Sequence, residues 1–279
     1  MFLIKLLSKL PLKFLYLLSD CIFFFIYYVI KYRRKVVFNN LKHSFPEKGR
    51  KEIQALAKQF YHNFSDAFME MVKGLSISKQ ELKKRVILQN NDFFASFLGA
   101  GNSIMIATSH TFNWEWALLG CCAYYPEVKV NVIYTPLTNL NFEKLLFKMR
   151  SRFGGIMVEK TQVAKSILRN RNISKVLVLN ADQVPQAKMD SLYWTKFLNQ
   201  DTAFFIGLER IPKFFNYPIY YMKMTRFSRG YYLIDFLKIA APPYEKDGHT
   251  ILDNYVEILE KHILEDPGNW LWSHRRWKF

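Results

Sequence analysis

The sequence is poor in cysteine and in acidic residues. It has three cysteines among 279 residues, and two of them, Cys121 and Cys122, are adjacent. An odd count without metal-ligand spacing provides neither a disulfide framework nor a zinc site, and it is typical of a reducing, cytosolic environment. The 23 Asp and Glu residues stand against 40 Lys and Arg, which gives a formal net charge of +17. This imbalance indicates an anionic partner: nucleic acid, an anionic membrane or a phosphorylated substrate.

Several catalytic signatures are also missing. Ser109 precedes His110, but no Gly-x-Ser-x-Gly elbow surrounds it to present a serine nucleophile. The segment HTFNWE does not have the HExxH arrangement of zinc proteases, and no Cys/His set elsewhere offers zinc ligands. We therefore expect no metal and no cofactor. The sequence also shows no internal repeat or long linker, so a single α/β domain is the simplest organisation.

Aromatic residues are abundant where cysteine is scarce. They make up 17% of the chain, and half of all residues are hydrophobic, which excludes a disordered basic tail. The aromatic excess favours a membrane surface, although single-stranded nucleic acid also stacks on aromatic rings. We predict a membrane partner and no nucleic acid. The C-terminal segment WLWSHRRWKF adds Arg275 and Arg276 beside three tryptophans, which suits contact with headgroup phosphates; a packed terminus with a solvated basic end is the alternative.

The N-terminus contains an apolar run at residues 14–30, close to the minimum length of a membrane helix. Lys5, Lys9 and Lys13 precede it, and the segment KYRRK follows it, so the positive-inside rule gives no orientation.

An interfacial or shallowly embedded helix pair that turns at Pro11 satisfies these charges better than a single span or a helix of a soluble core. A cleaved signal peptide is a poor match, because no small-residue cleavage site follows the run. We predict a membrane-anchoring helical segment at residues 1–35 and one α/β domain at residues 36–279.

The remaining chain alternates between helical and strand-like patterns. Residues 36–74 have helical periodicity, with a predicted buried face made of Ile53, Leu56, Phe60, Phe64, Phe68 and Met71. Short β-branched runs follow at residues 103–110, 128–136 and 174–183, separated by helical stretches at 113–125, 138–153 and 161–170. A hairpin is predicted at 217–224 and 230–237, and a last helix at 249–265. The pattern predicts an α/β fold with a mixed central sheet flanked by helices.

The stretch SHTFNWEW holds the candidate catalytic pair, His110 and Glu115. In one continuous helix these residues would lie about 140° apart, because each residue turns about 100°. They can meet if His110 lies in a strand-to-helix loop and Glu115 in the first helical turn, where an acidic residue is favoured. Glu115 could then hold one imidazole nitrogen and leave the other as a base. A satisfied polar pair without a catalytic role remains the alternative.

The same stretch resembles the H-x4-D/E motif of glycerolipid acyltransferases, and the wider sequence is similar to the bacterial late acyltransferases of lipid A biosynthesis. The matching segments are YRRKVVFNNLKHSFPEK, YTPLTNLNFEKLLFKMRSRFGG, NADQVP, YWTKFLNQDTAFFIGLERI and WLWSHRRWK. The resemblance implies a glycerolipid acyltransferase-like fold. It also implies transfer of a fatty acyl group from acyl carrier protein, or coenzyme A, to a hydroxyl of a membrane lipid at the cytoplasmic face of the inner membrane.

The resemblance also implies roles for individual residues. His110 would be the general base and Glu115 its orienting partner. Arg150, or Arg152 as the competing choice, would bind the oxyanion or an acceptor phosphate, and a solvated helix end is the alternative for both. Three further residues are expected near the substrate or behind the pair: Asn113, Asp182 and Gln183. Asp182 could orient other groups or simply cap a turn.

One departure bears on the acceptor. The F-x-E-G-[ST]-R phosphate-binding block of other glycerolipid acyltransferases is absent, which argues against glycerol-3-phosphate or lysophosphatidate as acceptors. A lipid A precursor is the predicted acceptor, and an aminolipid or a lysophospholipid is the alternative within the same class. A non-catalytic membrane-associated binding protein with this fold is the third possibility.

Overall fold

A computed structural model describes residues 2–89, 102–170, 172–185 and 189–278. The N-terminal part is helical: α1 Phe2–Ser8, α2 Leu12–Phe24 with a π-helical continuation Phe25–Val29, α3 Arg34–Ser44, α4 Arg50–Gly74 and α5 Lys79–Arg85. Pro11 separates α1 from α2, because proline lacks the N–H that would continue the helix but suits its beginning. Ser19 and Asp20 in the apolar α2 contact α4 and its partners: the Ser19 hydroxyl donates to Asp66, and Arg229 donates to Asp20.

A seven-stranded sheet forms the centre of the chain. Its strands are β1 Val86–Leu88, β2 Ile104–Thr108, β3 Lys129–Tyr134, β4 Ile156–Glu159, β5 Lys175–Asn180, β8 Ile219–Ser228 and β9 Tyr231–Ala240, in the spatial order β1-β9-β8-β2-β5-β3-β4. All neighbours are parallel except the β8–β9 hairpin, which turns at Gly230. Strands β6 Leu192–Phe197 and β7 Gln200–Phe205 pair antiparallel in a separate ribbon.

Helices connect the parallel strands and cover the sheet. They are α6 Trp114–Tyr124, α7 Leu140–Arg150, α8 Val163–Arg169, α9 Gly207–Phe215 and α10 Thr250–Glu265. Alternate residues of β2 face opposite layers: Ile104 and Ile106 pack in one apolar cluster, Met105 and Ala107 in the other. Each fully buried aliphatic side chain contributes about 1.5–3 kcal/mol, so strands buried on both faces stabilise the centre most.

The predicted fold class is confirmed: the chain has a mixed, mostly parallel central sheet flanked by helices. The helical prediction for residues 36–74 is divided between α3 and α4 by the segment around Pro46, where proline prevents a continuous helix. The predicted buried face of α4 was partly wrong, because Phe68 is 42% exposed whereas Asp66 and Glu70 are fully buried. Both carboxylates are buried because side-chain donors from neighbouring elements satisfy them.

Among the described residues, one helix is long and apolar enough to cross a membrane by length and composition. It covers Leu12–Val29, and 22% of it is buried within the protein. The exposed side carries large apolar residues: Phe14, Leu17, Leu18, Phe24, Phe25, Tyr28 and Val29. This apolar face is compatible with the predicted membrane-anchoring role of residues 1–35, and that role stays a proposal.

Candidate functional site

The candidate site lies where two neighbouring parallel strands end. β2 and β5 pair with Thr108 opposite Asn180, and the Ala181 amide donates to the Thr108 carbonyl at 3.1 Å. Two residues beyond this register, His110 and Asp182 therefore emerge side by side at the carboxyl edge of the sheet. Open α/β sheets commonly bind ligands at this edge.

Asp182 holds His110 through both carboxylate oxygens. Oδ1 lies 2.7 Å from the ring Nδ1, and Oδ2 accepts from the His110 backbone amide at 2.9 Å. An ionised carboxylate can only accept, so this contact fixes the proton on Nδ1 and leaves the lone pair on Nε2. The Asp182 side chain is 1% exposed and the imidazole 16% exposed, so the ring remains reachable while its partner does not.

The charge of Asp182 is stabilised despite its position. Burial acts to raise the pKa of its carboxyl group, but the neighbouring His110 and the hydrogen bonds from His110 and Trp270 outweigh it and lower the pKa below its ordinary value. The carboxylate therefore stays ionised at neutral pH and can orient the imidazole. Asn180 lies on the other side of the ring, with Nδ2 3.2 Å from Nε2.

The C-terminal segment completes the support of this pair. The Trp270 indole N–H donates to Asp182 Oδ2 at 2.8 Å, and the Asn269 carbonyl accepts from the Phe112 amide at 2.8 Å. Phe112 has a φ of +50°, a left-handed conformation that costs energy for a bulky residue and needs support from its surroundings. An isolated β-bridge between Thr111 and Trp270 adds a further link.

Burial corrects one sequence prediction at this end of the chain. Arg276 is 1% exposed, and its Nη2 donates to the Ala203 carbonyl at 2.7 Å. This side chain therefore packs inside the protein and does not face a headgroup layer, since the tryptophan-rich segment folds against β7. Arg275 is exposed, and its predicted contact with phosphates stays a proposal.

Glu115 takes a different partner from the predicted one. Arg150 binds it through two bonds, from Nε to Oε2 at 2.9 Å and from Nη2 to Oε1 at 2.5 Å. The prediction that Glu115 orients the His110 ring was therefore wrong in its geometry, because the described contacts give that role to Asp182. The reason is the helix start: Glu115 lies in the first turn of α6, which faces the end of α7, where Arg150 is the last residue.

Trp114 connects the two halves of the motif. Its ring meets the His110 ring edge-on with centroids 4.9 Å apart, and its indole N–H donates to Glu115 Oε1 at 3.2 Å. The Glu115 side chain is 6% exposed and Arg150 21% exposed. Burial lowers the pKa of Arg150, but its bonds to Glu115 outweigh this and keep the pKa above its usual value. The guanidinium is therefore a permanent, partly accessible cation.

The sequence left open whether Arg150 or Arg152 lies in the site, and the contacts of the two side chains differ in the structure. Arg152 donates to the backbone carbonyls of Gly74 and Ile77, the latter at 2.7 Å, so it holds the end of α4. Arg150 alone of the two binds Glu115. Asn113 caps α6 by accepting from the Trp116 amide at 3.0 Å, and Gln183 is half-buried beside Asp182.

Three residues in or behind the site were missed from the sequence: Asn180, Trp270 and Glu70. Asn180 could have been found, because a polar residue ends the apolar run KVLVLN at the strand terminus. Trp270 and Glu70 gave no local signal, since their contacts depend on tertiary packing across 88 and 43 residues of sequence.

Other nucleophiles in the motif region are occupied or protonated. Ser109 is buried, and its hydroxyl lies 2.8 Å from the Tyr221 hydroxyl. Burial raises the pKa of the Cys122 thiol to about 12, so this thiol is a poor source of thiolate. Within the described ranges, no group of three or more His, Cys, Asp or Glu side chains could hold a metal ion.

A partly exposed imidazole held by a buried carboxylate at the edge of an α/β sheet has the arrangement that general-base chemistry requires. The sequence model of the bacterial lipid A biosynthesis acyltransferases matches residues 1–279. The chain therefore belongs to the bacterial lipid A biosynthesis acyltransferase family, as the resemblance predicted. A comparison with curated proteins finds no matching relative.

Proposed function

We propose that this chain is a membrane-bound O-acyltransferase that moves a fatty acyl chain from an acyl carrier protein thioester to a hydroxyl of a lipid A precursor. Family membership supports acyl transfer in lipid A biosynthesis. The observation that carries the chemistry is the 2.7 Å contact between His110 Nδ1 and Asp182. It leaves Nε2 as a base on a ring that solvent, and hence a substrate hydroxyl, can reach.

In the proposed step, the acceptor hydroxyl displaces Asn180 from Nε2 and gives its proton to His110. Its oxygen forms a bond to the thioester carbonyl carbon, and the tetrahedral oxyanion then collapses with cleavage of the C–S bond. The imidazolium returns the proton to the leaving thiolate, so the ester and a free thiol are the products. No enzyme nucleophile is required, consistent with the engaged Ser109 and the protonated Cys122.

In the proposed site, Arg150 stabilises negative charge, either on the oxyanion or on an acceptor phosphate. Its guanidinium is oriented by the two bonds to Glu115, and 21% of the side chain is exposed. A planar guanidinium has five N–H donors, so the two bonds to Glu115 leave others for an anion. Glu115 thus has a different proposed role from the sequence prediction: it positions the cation and does not orient the base.

The proposed location is the cytoplasmic face of the inner membrane, with α1 and α2 as the anchor. The exposed apolar side of Leu12–Val29 supports membrane contact. Lysines at residues 5, 9 and 13 and the basic segment at residues 31–35 can pair with anionic headgroups.

Purified membranes that contain the protein test the reaction directly. Labelled acyl carrier protein and coenzyme A thioesters are each supplied with a lipid A precursor, an aminolipid or a lysophospholipid. We expect transfer from the carrier protein to the lipid A precursor, and transfer only to another acceptor would contradict the proposed substrate. Lipid mass spectrometry of a deletion strain identifies the acceptor independently, because that species should lack one acyl chain.

A further inference from the structure

A buried carboxylate that the proposed reaction does not use lies behind the site. Glu70 in α4 is fully buried, and its Oε1 accepts from the Tyr16 hydroxyl of α2 at 2.7 Å. Its Oε2 accepts from the Tyr232 hydroxyl at 2.6 Å and from Asn113 Nδ2 at 2.8 Å. Its backbone carbonyl accepts from the Trp116 indole at 2.7 Å. Glu70 therefore connects helix α2, strand β9 and the start of α6.

The bond to Asn113 decides how that residue caps α6. A carboxamide has one accepting end and one donating end, and each can point only one way at a time. Asn113 Oδ1 accepts from the Trp116 amide at 3.0 Å while Nδ2 donates to Glu70. Burial raises the pKa of Glu70, but its Oε2 faces donors from both Tyr232 and Asn113 and therefore acts as an acceptor. This contact selects the orientation in which the Asn113 amide oxygen faces the helix.

The capped helix start holds two parts of the site. Trp114 and Glu115 form the first turn of α6, and His110 lies three residues before the cap. Asp182 at the beginning of residues 109–116 and Glu70 at the cap are thus two of the restraints on this segment. A loss of either restraint should move Trp114 and Glu115 relative to the His110 ring.

We propose that Glu70 is a positioning residue for acyl transfer, which acts by orienting the Asn113 cap and so fixing the start of α6 against His110. The inference rests on the proposed function for its activity readout. Glu70 itself touches neither substrate nor reacting atoms, and its connection to Tyr16 ties this restraint to the helix that we propose as the membrane anchor.

Exchanging the carboxylate and the amide between Glu70 and Asn113 tests the proposal. Asp caps helices about as well as Asn, so Asn113→Asp keeps a side chain that can cap α6. It also places a second carboxylate against Glu70, and the repulsion should loosen the bond to the Trp116 amide. We expect kcat to fall about tenfold with little change in KM, within the range of coupling between contacting residues. Adding Glu70→Gln supplies an amide donor for the new Asp, and the double variant should regain most of the wild-type kcat.

Two further variants are compared with Asn113→Asp. Glu70→Gln alone should have a smaller effect than Asn113→Asp, because a turned glutamine amide can donate to the Tyr16 hydroxyl and still accept from Asn113. Asn139→Asp is the matched control, since Asn139 caps α7 by accepting from two backbone amides at 3.1 Å and is exposed. This control should retain the wild-type kcat.

Hydrogen exchange gives a readout that does not depend on activity. The Trp116 amide should exchange faster in Asn113→Asp and return toward the wild-type rate in the double variant. An inactive wild type would refute the proposed function, whereas the exchange data would still test the coupling.

Wild-type kcat in Asn113→Asp, or no recovery in the double variant, would overturn the positioning role. If Asn113→Asp does not fold, Asn113→Ser replaces it, because serine caps the helix but cannot donate an amide proton to Glu70. An unchanged kcat in that variant would equally overturn the proposal.

Discussion

The motif SHTFNWEW contributes to two side-chain pairs that differ in what they can do. His110 is held by Asp182 from the next strand, and Glu115 is held by Arg150 from a helix. The first pair can take up a proton, because an imidazole with its proton on Nδ1 has a lone pair on Nε2 that can accept another. The second is a fixed ion pair, since a guanidinium does not release its proton. The two polar residues of the motif therefore have separate partners and separate proposed tasks, although their spacing of five positions predicted a single pair.

The largest loss of activity is expected when the proposed base, His110, is replaced. His110→Ala removes the group that is proposed to take the proton of the acceptor hydroxyl, so kcat should fall by up to about 10⁴-fold, the upper end of the range for general-base catalysis. Acyl transfer in purified membranes measures this loss. His43→Ala is the control, because His43 is exposed on α3 and bonds a backbone carbonyl of its own helix. A variant without His110 that transfers at the wild-type rate would end the general-base account.

Replacing the orienting carboxylate should have the next largest effect. In Asp182→Asn, an NH₂ in the place of Oδ2 would oppose the His110 amide and the Trp270 indole, which are both donors. An NH₂ in the place of Oδ1 would donate to Nδ1 and move the ring proton to Nε2, which removes the base. In either orientation we expect kcat to fall by about 10²-fold or more. The rate of single-turnover acyl transfer measures this. A loss smaller than that of Glu115→Gln would reverse the assignment of the two carboxylates.

The second pair should be less sensitive to an isosteric change. Glu115→Gln removes the charge opposite Arg150, and Arg150→Lys removes the two-point bond. Loss of a charged hydrogen bond costs about 1.5–3 kcal/mol, or about 10- to 100-fold in rate if it is fully expressed in the transition state. Both variants should show this loss, and the double variant should lose less than the sum of the two, because they share one interaction. Strict additivity would argue against the pair acting as a unit.

The smallest effect is expected at the indole that supports the first pair. Trp270→Phe keeps an aromatic ring but removes one neutral donor from Asp182, a loss of about 0.5–1.5 kcal/mol. The pKa of Asp182 is lowered in the fold, so its stabilising contribution is present above the unfolded pKa and disappears as pH falls through the folded pKa. Without the indole bond this pKa should rise, and acid unfolding should begin at a higher pH than in the wild type. An unchanged or lower unfolding pH would contradict the role of Trp270.

Sequence patterns predicted the parts of this site that depend on local structure. Strand-like runs and cap residues placed His110 in a loop and Glu115 in the first turn of a helix, as the structure shows. The partners could not be predicted in the same way, because they depend on strand register. His110 meets Asp182 only because β2 and β5 are neighbours with Thr108 opposite Asn180, and no local pattern specifies that order.

The same limit explains the errors outside the site. Arg276 was expected at headgroup phosphates because it stands beside three tryptophans in the sequence, but the C-terminal segment packs against β7 and buries it. Asp66 and Glu70 were omitted from the predicted buried face of α4, because helical periodicity counts apolar residues alone. Buried carboxylates with several side-chain donors, such as Glu70, become visible only when the donors from other elements are in place.

Asp182, and not Glu115, holds the His110 imidazole in the structure. Proton NMR of protein labelled with ¹⁵N-histidine measures this directly, since a ring N–H that donates to a carboxylate gives a strongly downfield resonance. His110→Ala assigns the signal. We expect this Nδ1–H resonance to persist in Glu115→Gln and to be lost or shifted far upfield in Asp182→Asn. Loss of the resonance in Glu115→Gln, with retention in Asp182→Asn, would contradict this expectation.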